Sequence, residues 1–211
     1  MIGGKTTVGS RWWHAVIAAV VVVSLVIQLV LLFTGGADAT PGRPAPRWAS
    51  ACGCSATSPS RVLAVNPLAD GRLWRVVRLD ALLGILITGL VYAIVLAPQV
   101  HLTGAALAAT IGFHYVSPWA TVPAWLLFGP RPRVTWGTVF AAFAWPLLWL
   151  LYIFVQGAFT HWYPYPFLDA GKLGLGDAVR NALLVVVLAA AFAALMKLLD
   201  RKLPVTPPLP A

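Results

Sequence analysis

Long apolar runs separated by short polar or basic breaks dominate the chain. Trp12 to Phe33 is apolar except at His14, Ser24 and Gln28, and a run of that length crosses about 30 Å of bilayer hydrocarbon as a helix. Comparable runs cover about 81–97, 102–128, 134–159 and 178–199. His114, Ser117, Pro118 and Pro123 interrupt the third run, and Pro146 sits at the centre of the fourth. Gly35 to Arg61 is rich in Pro, Gly, Ala, Ser and Arg, with no helical or strand period, and reads as a flexible loop. The pattern predicts an all-α polytopic transmembrane helix bundle over residues 1–203. It has five clear spans, a degenerate second span over 48–68, and a disordered tail over 204–211. Ala37-Asp38-Ala39 has the small-x-small form of a signal cleavage site, but the preceding run exceeds the ~7–15 apolar residues of a signal peptide. A retained helix is expected.

Basic residues fix the expected orientation. Arg72, Arg75 and Arg78, then Arg131 and Arg133, then Lys197, Arg201 and Lys202 flank successive spans, and such residues collect on cytoplasmic loops. The four spans from Ala81 onward obey this together, which puts the carboxy terminus in the cytoplasm of a cell-membrane protein and the loop 160–177 outside. Lys5 and Arg11 ask the first helix to run outward too. The chain then has to return between residues 35 and 71. The one candidate, 48–68, carries Arg61 with Pro59 and Pro67, and a central arginine costs about 2.5–3.5 kcal/mol on insertion scales.

Composition agrees with the bilayer as the main partner: 60% of the 211 residues are hydrophobic and 10% charged, against about 25% charged in soluble domains. The net charge of +9 lies beside apolar runs and forms no aromatic-interleaved patch, so no nucleic-acid partner is expected. Cys52 and Cys54 are one residue apart, and no second ligand pair accompanies them; neither a metal nor a cofactor is expected. Oligomeric state is not written in this pattern.

Chemistry concentrates at two places. His114 is the one ionisable side chain well inside a span beyond the entry of the first helix, and such groups are costly and often functional. A neutral imidazole there can act as general base toward a hydroxyl, while a bridging histidine hydrogen-bonded across helices is the alternative. Thr88, Thr110 and Thr121 offer hydroxyls, though bonding back to helix carbonyls accounts for each. The second place is Thr160 to Gly176, THWYPYPFLDAGKLGLG. It reads either as an aromatic interfacial turn in which Asp169 caps the next turn of the chain, or as a lid with His161, Tyr163, Tyr165 and Asp169 over a bundle cavity. A transporter would want charges in a pore or an internal repeat, and neither is visible; a non-enzymatic scaffold is the remaining class.

Three stretches resemble a known family: Gly71-Arg-Leu-Trp-Arg-Val-Val-Arg-Leu-Asp-Ala-Leu-Leu-Gly84, His114-Tyr-Val-Ser-Pro118 with Trp125-Leu-Leu-Phe-Gly-Pro-Arg131, and Trp162-Tyr-Pro-Tyr-Pro-Phe-Leu-Asp169. Over about residues 66–203 the chain resembles the bacterial six-pass membrane family called Pr6Pr, whose function is unestablished. The last two stretches are also similar to the eukaryotic androgen-induced membrane proteins, intramembrane threonine hydrolases of fatty-acid esters of hydroxy fatty acids. The resemblance implies a catalytic role for His114, a lipid or fatty-acid ester substrate, and Tyr165-Pro166-Phe167-Leu168-Asp169 as the family loop, with Asp where the eukaryotic proteins carry Glu. The nucleophilic threonine does not carry over. The bacterial family opens its second helix with an aromatic-Thr-x-x-Ser-Asn pattern, which is missing from 45–55. A shifted reading frame or a lineage-specific replacement over about 36–62 would explain that gap and the missing return span together.

Overall fold

The computed structural model describes residues 2–34, 62–66, 69–99 and 101–204. Within them every regular element is helical. In chain order these are α1 (Ile2–Thr34), α2 (Arg72–Val91), α3 (Gly104–Ile111), α4 (Ser117–Phe128), α5 (Trp136–Ala142), α6 (Ala144–Thr160), α7 (Ala170–Leu173) and α8 (Leu175–Lys202). Four stretches are long and apolar enough to cross a membrane: Val8–Leu31, Arg72–Gln99, Trp136–Thr160 and Leu175–Lys202. The expected span over 102–128 is a continuous helical run made of α3, a π-turn and α4. Most of the weak candidate 48–68, the stretch 36–62 apart from its last residue, and the tail 205–211 lie outside the described residues.

Two π-turns, Tyr92–Leu96 and Gly112–Val116, interrupt otherwise regular helices, and proline explains both. In an α-helix Pro98 and Pro118 would each owe an N–H to the residue four back, and their rings would press on that carbonyl. The preceding residue widens the turn instead: the N–H of Ala97 bonds Tyr92 O, and that of Ser117 bonds Gly112 O. Pro146 acts more bluntly, because Phe143, three residues before it, breaks the run between α5 and α6.

Packing follows narrow stripes. On α1 the buried positions Ser10, His14, Ile17, Val21 and Ser24 recur at spacings of four and three, which places them on one face. That face meets Phe113, Ala120, Ala124 and Phe128 of the 104–128 run, and the indole N–H of Trp13 donates to Ala120 O at 3.0 Å. Leu79, Leu82, Leu83 and Leu86 of α2 form the second core with Trp125, Val139, Ala142, Ala193 and Met196. The outward faces stay apolar: Leu148, Leu151, Val155 and Phe159 on α6 and Leu184 and Val187 on α8 are exposed. That is a surface made for hydrocarbon and not for water.

One close helix crossing is testable. A Cβ on Gly89 would lie 2.7 and 2.8 Å from the ring carbons of Pro118 and 3.1 Å from the His114 carbonyl, and neither obstacle can rotate away. A Cβ on Gly84, in the same helix, meets nothing within 4 Å. Gly89→Ala is therefore expected to cost about 1–3 kcal/mol by overpacking. Gly84→Ala is expected to be neutral or stabilising by up to about 1 kcal/mol through helix propensity. Paired thermal unfolding of the two variants in detergent checks the contrast.

Candidate functional site

The two π-turns pack against each other and bring their side chains together. The Tyr92 ring stacks on the His114 imidazole at 4.1 Å between centroids and 27° between planes. Tyr115 meets Tyr92 edge-on at 5.9 Å, and Phe113 meets the His114 ring edge-on at 6.4 Å. Gly112 is needed here, since a Cβ would collide with Ser24 Oγ on α1. Sequence reading missed Tyr92. The signal lay in Pro98 and Pro118, each six residues past a π-turn's first residue.

His114 Nδ1 lies 3.2 Å from Thr110 O. A carbonyl oxygen only accepts, so a hydrogen bond at this contact requires the proton on Nδ1, and a neutral ring then keeps its lone pair on Nε2. His14 repeats the arrangement on α1, with Nδ1 2.8 Å from Ser10 O. His14 is buried and lines a cleft with Arg78, Leu82, Ser117, Thr121 and Trp125. The cleft holds about 440 Å³ of empty space, its open mouth included. Its hydroxyls are committed to backbone: Ser117 Oγ donates to Gly112 O at 2.7 Å and Thr121 Oγ1 to Ser117 O at 2.6 Å.

Arg78, Leu82 and Trp125 also line a second cleft, of about 370 Å³ with its open mouth included, beside Asp70, Trp74, Arg75, Arg133 and Asp200. The basic segments of α2 and of the 129–134 loop thus converge with the end of α8. Arg75 grips Asp70 with two bonds of 2.7 Å, and Arg133 joins at 3.4 Å. These contacts, Arg75 above all, hold the Asp70 carboxyl well below the ordinary carboxylate range. Arg131 donates to Trp125 O and Leu126 O, and its guanidinium lies over the Trp125 ring at 5.3 Å. It thereby supplies the last carbonyls of α4 with donors.

The loop expected to form a lid is ordered by its own neighbours. His161, exposed, ends α6 in the left-handed region at φ 54°. Tyr163 lies against Gly157 and Phe154, and Tyr165 against Trp149 and Phe167. Asp169 Oδ1 accepts from the N–H groups of Gly171 and Lys172, and Asn181 on α8 donates to Phe167 O at 2.9 Å. These contacts run to α6, α7 and α8, while the ring contacts of His114 run to Tyr92 and Phe113. The structure makes two clusters, one at the π-turn crossing and one on the 160–176 loop. Among the described residues, no group of three or more His, Cys, Asp or Glu could hold a metal.

Fold and site together define a class: an all-α membrane protein with a half-buried histidine, bonded to its own helix, at the crossing of two distorted helices. No family model, curated protein or solved structure matches the chain.

Proposed function

We propose that the chain is a multi-pass intramembrane lipid-ester hydrolase in which His114 is the general base. The observation that carries this reading is the His114 Nδ1 contact to Thr110 O, which leaves Nε2 free to take a proton. Two further features support it. π-turns are frequent at functional sites, and here one holds the histidine while the other holds the aromatic ring stacked on it. The reaction needs Nε2 to take the proton of an attacking hydroxyl or water as it adds to the ester carbonyl, then to return it to the departing alkoxide. Ser117 and Thr121 spend their hydroxyls on carbonyls. In this reading the attacking group is a water or another hydroxyl.

In this reading the run Gly104–Phe128 is a fifth crossing and a sixth lies within 35–71. The basic cluster around Arg78, Arg131 and Arg133 marks the cytoplasmic end, and the loop 160–177 is extracytoplasmic. The resemblance to the six-pass bacterial family rests on the same stretches: the Arg78 helix, the His114 turn and the Tyr165–Asp169 loop. Protein purified in detergent and offered esters of hydroxy fatty acids is expected to release free fatty acid. Absence of turnover on such esters, with protein-dependent solute flux into liposomes in its place, would turn the reading toward transport.

A further inference from the structure

The cleft at the basic end of the bundle contains donors that the described residues do not use. Two of its arginines are engaged, Arg75 on Asp70 and Arg133 on Asp70 and Ala69 O, and nearby Arg131 is spent on the carbonyls ending α4. Arg78, one turn deeper on α2 than Arg75, makes no hydrogen bond or ion pair with any described residue, although it lines both clefts. Trp74, four residues before Arg78 and so on the same helical face, lines the second cleft with its indole N–H buried and unbonded among the described residues. A partly buried guanidinium beside an unsatisfied N–H is costly unless an acceptor arrives from elsewhere. The wall also contains Asp200, whose Oδ1 is buried and unbonded among the described residues. The Asp200 charge, which also faces Arg78, opposes a dianion more strongly than a monoanion.

We propose that this cleft binds a singly charged phosphate group, with the Arg78 guanidinium and the Trp74 indole N–H donating to its oxygens. Depth and charge fit a phosphodiester of the headgroup layer. Arg78 stands about 9 Å along α2 from Arg72, where the helix passes from basic to apolar, and basic pockets between helices at the cytoplasmic face are suited to lipid headgroups.

Thermal unfolding of the detergent-purified chain, titrated separately with phosphatidylglycerol, phosphatidylcholine and sodium phosphate, tests this. The wild type is expected to be stabilised in a saturable way by at least one of the three. A shift from the lipids alone assigns the site to a headgroup, and an equal shift from sodium phosphate assigns it to a soluble phosphate; both support a phosphate site. Arg78→Gln is expected to weaken binding at least about tenfold and Trp74→Phe about threefold or more, as for lost hydrogen bonds to a charged group. Arg72→Gln, at an exposed position, is expected to leave binding unchanged. If Arg78→Gln does not fold, Trp74→Phe carries the test through its affinity at an unchanged ligand-free melting temperature. No stabilisation of the wild type by any of the three, or wild-type affinity in both cleft variants, overturns the proposal.

Discussion

His114→Ala is expected to lower kcat for lipid-ester hydrolysis by about 10²–10⁴-fold, the usual contribution of a positioned general base. The side chain is partly buried between Tyr92 and Phe113 and bonds only to its own helix among the described residues, through Thr110 O. Its removal breaks no hydrogen bond between helices but gives up the stack on Tyr92, so a modest fall in melting temperature is expected beside a far larger fall in rate. His114→Gln separates packing from chemistry further, because it keeps bulk and polarity at the turn but supplies no base. Release of fatty acid from the same ester by wild type and both variants checks this. Equal rates in all three would remove the imidazole from the reaction.

Asp200→Ala is expected to destabilise the fold strongly, by about 2–5 kcal/mol, the cost of leaving two buried donors without their charged acceptor. Asp200 is 2% exposed near the end of α8, yet its Oδ2 accepts the backbone N–H groups of Arg133 at 2.7 Å and Val134 at 2.8 Å. One carboxylate thus pins the loop that leads from α4 to α5 against the last helix. Truncation leaves two amides without their acceptor and removes a negative charge from beside Arg78 and Arg131, and each loss is costly away from water. Asp200→Asn keeps one acceptor oxygen and is expected to cost visibly less. Unfolding in detergent, followed by helical circular dichroism, ranks wild type, Asn and Ala in that order. An alanine variant within about 0.5 kcal/mol of wild type, the range of ordinary surface changes, would show that the pin holds nothing.

The sequence made the helices legible and left most of the site hidden. Apolar runs of membrane length are a one-dimensional signal, and the helices lie close to where those runs predicted. His114 stood out because an ionisable group is rare in such a run. Tyr92 did not, since a tyrosine near a span end reads as interfacial and hydropathy does not separate an i→i+5 turn from an i→i+4 one. Arg78 read as one more flanking charge and His14 as a blemish in the first helix. Only packing shows that both line one cleft, with α1 brought against the 104–128 run. Asp200 is 67 positions from Arg133, its bonding partner, and no local pattern announces such a pair. The loop at 160–176 drew attention by composition; its aromatics and Asp169 are occupied with shaping the loop itself.

The functional account rests on His114 offering an unprotonated Nε2. Nitrogen NMR of the chain carrying labelled histidine, in detergent near neutral pH, reads the tautomer directly once the His114 signals are assigned by their absence from His114→Gln. The account predicts a protonated Nδ1, bonded to Thr110 O, and a bare Nε2. A proton on Nε2 with Nδ1 bare would contradict it, because that ring could neither bond the carbonyl nor accept a proton at the face left open.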